Sequence, residues 1–204
     1  LVAQSRPDLY HSPYFRMPVL SGLPTVLTMH DCIPLMQPAE HSAQARIQFR
    51  TCAARALRAC TRAIAVSETT RADCARFFPE DGGKLVTIPH GVDRRYAPRT
   101  EAECAAVAVR LGISRPMILY LGSNRPHKNI AALLKGYAHA RPLLKGHGLV
   151  IAGYGSEKTS QDEAILQQTG IVQDVAWIGP VPEADLPALF SCASVCVLPS
   201  LYEG

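Results

Sequence analysis

The sequence predicts a doubly wound parallel α/β architecture, repeated in two halves. Three observations predict it: short apolar runs bounded by Gly or Pro, helical periodicity in the segments between them, and small, polar and charged residues directly after the runs. Apolar runs without alternation suit strands covered on both faces, and strand–helix–strand repetition makes the sheet parallel.

The second half shows the pattern most plainly. "PMILYLG" (116–122), "HGLVIAG" (147–153), "DVAWIG" (174–179) and "SVCVLPS" (194–200) are the expected strands. After the first, Ile130, Leu133, Leu134, Tyr137 and Ala138 recur at i, i+3, i+4, i+7 and i+8, which makes one buried helical stripe. After the second, Ser160 and Glu163 read as a capping box ahead of "AILQQ", and Gly170 ends that helix. After the third comes "EADLPALFSCA", where Pro187 is early enough for a helix to tolerate.

In the first half, "TVLTMH" (25–30), "RAIAVS" (62–67) and "KLVTIPHG" (84–91) are the strands. A helix near residues 43–60 would bury Phe49, Cys52, Ala53, Ala56, Leu57 and Cys60. Ser67 is a natural N-cap for "ETTRADCARFF", which Pro79 stops. The stretch "DRRYAPRTEAECAAVAVRLGISRP" joins the halves, so the expected domains are 1–94 and 95–204.

With 48% hydrophobic and 19% charged residues, 204 positions provide material for one large or two small globular domains. No apolar run approaches the roughly 20 residues that span a bilayer. Both ends read as cut, since Leu1 is not a start methionine and "VCVLPSLYEG" is a strand whose loop has only begun. Seven cysteines without a CxxC pair point to buried thiols in a reducing, cytoplasmic compartment. Residues 1–95 hold 12 Lys+Arg against 8 Asp+Glu, whereas residues 96–204 hold 9 against 9, so the whole net charge of +4 lies in the first half.

In a parallel α/β sheet ligands gather at the carboxyl ends of the strands. "HDCIP", "SETT" and "PHGVD" follow the strands of the first half; "GSNRPHKN", "GYGSE", "GPVPE" and "PSLYEG" follow those of the second. These loops point to one cleft between two carboxyl edges. A helix N-terminus presents unpaired N–H groups and partial positive charge, so Arg125 and Lys128 in "GSNRPHKN" cost local stability unless an anion arrives. With Gly122 allowing close approach, they form a phosphate or diphosphate cradle. The turn matches neither GxxxxGK[ST] nor GxGxxG, which argues against a P-loop enzyme and an NAD-dependent oxidoreductase. GxSxG is also missing, and His90, His139 and His147 have no metal-ligand spacing.

"TVLTMHDCIPLMQP", "IAVSETTRADCARFF", "KLVTIPHGVDRRYAP", "ILYLGSNRPHKNIAALLKGY", "LVIAGYGSE" and "WIGPVPEADLPALFSCASVCVLPSLYEG" occur in one order. In that order the chain, from about Asp8 to Gly204, resembles family-4 retaining glycosyltransferases of group 1, with bacterial mannosyltransferases of surface-polysaccharide assembly the nearest subgroup. The resemblance implies the GT-B fold, two facing Rossmann-like doubly wound parallel sheets, both truncated here. It implies transfer of a hexose, mannose in that subgroup, from a nucleotide diphosphate sugar such as GDP-mannose to a glycan or lipid-linked acceptor, with retention and without a metal or other cofactor.

By the same resemblance Arg125 and Lys128 would bind the donor diphosphate, and His30 would face the reacting sugar carbon. Glu203 would contact donor sugar hydroxyls, with Gly204 as backbone against the donor. Gly153, Tyr154, Gly155, Ile178 and Gly179 would hold the nucleobase. His30, Lys128 and Glu203 are thus the catalytic candidates. A second glutamate of the family motif would lie beyond Gly204. The chain departs from the family pattern at His127, where a basic residue usually precedes the lysine, and at His90, where Asn is common.

From the residues alone, His30–Asp31 also fits a structural role, with Asp31 capping the next turn. No carboxylate is placed to form a covalent intermediate, so direct front-face displacement is expected. The alternatives are a sugar-nucleotide-binding domain without catalysis and another GT-B enzyme such as an epimerase or phosphorylase. Arg46, Arg50, Arg55, Arg58 and Arg62 give the first half a basic face suited to peripheral contact with an anionic membrane at the inner face of the cytoplasmic membrane.

Overall fold

A computed structural model describes residues 7–20 and 22–204. The chain divides into two compact units: one runs to Gly91 and takes in Tyr202–Gly204, and the other is Val92–Leu201.

The first unit carries a parallel sheet of β1 (Tyr10–Ser12), β2 (Thr25–Met29), β3 (Arg62–Ala65) and β4 (Leu85–Thr87), in that spatial order. Its helices are α1 (Ile33–Met36), α2 (Ala43–Ala59) and α3 (Glu68–Phe77). Ser42 and Ser67 cap α2 and α3, their hydroxyls accepting from Ala45 and Thr70 N–H at 3.1 and 2.9 Å. Leu27 and Met29 from β2 and Ala63 and Ala65 from β3 meet Phe49, Ala53, Ala56 and Leu57 of α2 in one core. A fully buried Leu or Phe side chain contributes about 1.5–3 kcal/mol. The apolar period of α2 therefore orients it on the sheet.

The sequence did not announce β1. "YHS" has no apolar run, and the strand exists because Tyr10 and Ser12 pair with Thr25 and Leu27. The expected run at 84–91 yields only the three residues of β4, after which Pro89 has no N–H for a ladder.

The second unit begins with α4 (Glu101–Leu111), whose N-terminus is a complete Thr100–Glu103 capping box. It continues through β5 (Met117–Leu121), α5 (Ile130–Ala140), β6 (Gly148–Ala152), α6 (Ser160–Thr169), β7 (Val175–Gly179), α7 (Leu186–Cys192) and β8 (Val195–Cys196). Every strand pair is parallel, in the order β7-β6-β5-β8. Met117 and Leu119 of β5 and Val150 and Ala152 of β6 enter one core, while Tyr120, Leu149 and Ile151 enter another on the opposite face. Coverage of both faces explains why these strands read as continuous apolar runs.

One cap departs from expectation. The box that opens α6 is Thr159 with Asp162, one residue before the predicted Ser160–Glu163. "TSQDE" offers both registers at the same spacing. Asp162 settles the choice because it is 2% exposed and already bonded to another turn, whereas Glu163 is exposed. The end of the chain also differs from the expected 95–204 domain. Tyr202–Gly204 join the first unit, where the Tyr202 hydroxyl donates to the Asp73 carboxylate and the backbone of Gly204 lies against the His30 carbonyl.

Candidate functional site

In the second unit the chain runs outward from β5 to β6 and β7, then returns to place β8 on the other side of β5. The reversal between β5 and β8 is a topological switch point, the place where open α/β sheets bind ligands beyond the carboxyl ends of their strands. The turn after β5 and the segment after β8 flank it.

Gly122 N–H donates to the Ala152 carbonyl at 2.9 Å, and Gly153 N–H to the Gly179 carbonyl at 2.8 Å. Both bonds carry the ladders past the strand ends. A Cβ on Gly153 would lie 2.5 Å from the Gly122 carbonyl oxygen, and its φ of +126° is a glycine conformation. The two turns thus pass backbone against backbone. Asn124 ties them together: its N–H donates to the Gly155 carbonyl at 2.6 Å and its side-chain amide to the Asp162 carboxylate at 2.6 Å. The same carboxylate accepts from the Thr159 N–H at 2.9 Å and hydroxyl at 2.7 Å, so three donors satisfy one buried charge.

Pro126–Lys128 form a single 3-10 turn leading to Asn129, whose φ of 60° bends the chain into α5. Asn129 occupies the cap position without capping; its amide donates instead to the Pro199 carbonyl at 3.2 Å. The Asn129 side chain therefore caps none of the N–H groups that open α5, which form the positive end of the helix dipole. Leu201 N–H donates to the His127 carbonyl at 2.7 Å, holding the segment after β8 to this turn. His127 is buried, 2% exposed, whereas Arg125 is exposed. Lys128 is half-buried on the same turn.

Tyr154 is 79% exposed between Gly153 and Gly155, with Ile178 half-buried on β7 and Gly179 at its end. Ser156 donates to the Gly153 carbonyl at 2.7 Å, and the Trp177 indole N–H donates to the Ser156 carbonyl. These bonds make a second rigid turn beside the first.

The other candidates lie in the first unit. His30 follows β2; its carbonyl accepts from the buried Thr70 hydroxyl at 2.9 Å and its Nε2 is 2.8 Å from the Pro13 carbonyl. Asp31 accepts from Ile33 N–H at 2.9 Å, the turn-capping role that the sequence allowed. Beside them opens a cavity of about 200 Å³, lined by Tyr14, Phe15, Arg16, His30, Asp31 and Phe49 among others. Glu203 is exposed, between Tyr202 and Gly204. A Cβ on Gly204 would collide with the His30 carbonyl, so glycine is required there for packing. Burial, then the bond to Asp73, pushes the Tyr202 phenol well above its ordinary 10.0.

Residues 1–96 match the model of Glycosyltransferase Family 4, and residues 109–204 match that of Glycosyl transferases group 1. The chain belongs to the group 1 glycosyltransferases. It is 29% identical over 203 residues to the O-antigen chain mannosyltransferase B of Escherichia coli, covering 96% of this chain and 52% of that one. Sucrose-phosphate synthase from Thermosynechococcus elongatus superposes with a TM-score of 0.74 at 20% identity, over 99% of this chain and 52% of that one. HepE from Anabaena, in complex with UDP-glucose, gives 0.66 at 18% identity, over 87% and 47%. The two parallel sheets are those of GT-B glycosyltransferases, and the chain spans about half the length of these relatives.

Sequence reasoning on this group 1 glycosyltransferase missed Asn124, Asp162 and Ser156, which fix the loops. The Asn124–Asp162 contact joins residues 38 apart, beyond any local pattern. The signal was present only as an Asp at the third position after a Thr.

Proposed function

We propose that the full-length protein transfers a hexose, mannose from GDP-mannose, to a glycan or lipid-linked acceptor with retention of anomeric configuration. The observation that carries this reading is the uncapped N-terminus of α5 at the switch point, with Arg125 exposed and Lys128 on the turn before it. The similarity to a mannosyltransferase supports the sugar, and the UDP-glucose complex of a fold relative supports a nucleotide-sugar donor.

As the glycosidic bond breaks, charge develops on the departing diphosphate. Fixed N–H dipoles, a guanidinium and an ammonium stabilise that charge more than they stabilise the intact donor, which lowers the barrier. Arg125 supplies a planar fork to two oxygens, Lys128 a point charge. In this reading the three groups do the electrostatic work that a metal does elsewhere. Gly122 gives the phosphates close approach, and Gly153, Tyr154, Gly155, Ile178 and Gly179 hold the nucleobase. Glu203 binds sugar hydroxyls, Gly204 lies against the donor, and His30 faces the reacting carbon, with the acceptor in the cavity beside it. The acceptor attacks from the face that the diphosphate leaves.

Replacing one such donor costs about 10²–10³ in turnover, so Lys128→Ala in the full-length enzyme should lower kcat for mannosyl transfer by that factor. Transfer should persist after exhaustive chelation with EDTA. Undiminished turnover of the variant would remove Lys128 from the chemistry.

A cytoplasmic enzyme working on lipid-linked acceptors would meet the inner membrane face peripherally. Among the described residues no helix is long and apolar enough to cross a membrane, and all seven cysteines are free. Arg50 and Arg55 are exposed on α2 and Arg62 on β3, while Arg58 is paired with Glu80 at 3.1 Å. Each free charge near an anionic surface contributes about 1 kcal/mol. Co-sedimentation with vesicles should rise with their anionic lipid content, and indifference to it would end this part of the proposal.

A further inference from the structure

We propose that His90 is a positioning residue, which holds the His30 imidazole in one tautomer and one orientation for glycosyl transfer. This rests on the placement of His30 beside the reacting sugar.

Pro13 sets the direction of the hydrogen bonds. His30 Nε2 is 2.8 Å from the Pro13 carbonyl oxygen, and a carbonyl oxygen only accepts. Nε2 therefore carries the hydrogen, and in the neutral ring Nδ1 is left with a lone pair. His90 Nε2 is 3.3 Å from that Nδ1. A lone pair requires a donor, so His90 also carries its hydrogen on Nε2 and leaves Nδ1 to solvent. The hydrogen bonds then run in one direction, from His90 through His30 to Pro13. The rings lie nearly parallel, 23° between planes and 5.2 Å between centroids.

Each link is anchored independently. The buried Ser12 hydroxyl is placed 3.0 and 2.7 Å from the Tyr14 and Arg16 carbonyls, which shapes the loop that presents Pro13. Ile88 N–H donates to the Ala65 carbonyl at 2.9 Å, which fixes the segment leading to His90. The Thr70 hydroxyl holds the His30 main chain. With both nitrogens engaged, His30 cannot accept a proton from an acceptor hydroxyl without breaking the bond to His90. It serves as an oriented polar face, as a ligating histidine does when a second group fixes its ring.

The test uses the full-length enzyme labelled with [15N]histidine and two-bond 1H–15N spectra at alkaline pH. The wild type should show His30 as the Nε2–H tautomer alone. His90→Phe keeps the stacked ring but offers no donor; His30 should become a mixture of tautomers, and kcat should fall about 10–100-fold with donor KM unchanged, the scale of losing a partner that orients a functional histidine. His90→Gln puts an amide nitrogen near the lost Nε2 and should restore both. Thermal melting checks folding, and His90→Ala replaces the Phe variant if that one does not fold. A His30 tautomer and a kcat both unmoved by losing the donor would overturn the proposal, as would failure of Gln to restore them. His30→Ala, assayed in parallel, separates the two claims: undiminished transfer there removes His30 from the reaction, while the spectra still decide its tie to His90.

Discussion

Gly153 and Gly122 bring two backbone turns closer than a side chain permits, and the proposed donor site is built on that approach. A methyl group on Gly153 must displace the Gly122 carbonyl or move the turn, and it must adopt a φ of +126°. Gly153→Ala should cost on the order of 2–4 kcal/mol in urea unfolding and weaken nucleotide binding at the same time. Equal stability would show that the turns separate easily. Tyr202 offers a second test at this scale. Its hydroxyl is the donor to Asp73, which is 9% exposed, so Tyr202→Phe leaves a buried carboxylate short of a partner and should cost about 1–3 kcal/mol. The charged and glycine residues of the β5 turn were legible in the sequence because residue type and spacing carry their chemistry. The Asn124–Asp162 and His30–His90 contacts were not, since each joins residues distant in the chain, 38 and 60 apart.

At the scale of elements, periodicity located α2 and α5 because burial of one stripe dominates a helix's choice of face. Strands β5 to β7 were legible as apolar runs for the matching reason, coverage on both faces. What local pattern could not give was β1, three residues held by a neighbour, and the register of the α6 cap. That cap permits a direct check. Thr159→Ala removes the acceptor of Asp162 N–H and one donor to the Asp162 carboxylate, with an expected loss of about 1 kcal/mol. Ser160→Ala, at the position predicted from sequence, should be close to neutral. The reverse ranking in thermal unfolding would return the cap to Ser160–Glu163.

For the whole molecule, ionisation sets a limit on the alkaline side. Burial raises the Tyr137 phenol and, with the Asp73 bond, that of Tyr202, both from 10.0; it pushes the Cys192 thiol up to about 11 from 9.0, helped by Cys104. Each raised value means that the folded chain keeps a proton that the unfolded chain releases. The stabilisation is complete below the ordinary values, and it declines as pH rises from about 9 through the folded values. Stability measured against pH should therefore fall above about 9, less steeply in Tyr202→Phe; a flat profile to pH 11 would contradict the burial. The excess of positive charge, all in residues 1–95, does not account for the proposed anion site, which lies where residues 96–204 sum to zero. Local arrangement around Lys128 accounts for it instead. The most direct measurement is isothermal titration calorimetry of the full-length protein with GDP. Heat of binding is expected, with Arg125→Ala and Lys128→Ala each weakening the affinity by tenfold or more, about 1.4 kcal/mol. Binding of equal strength in both variants, or none in the wild type, would contradict it.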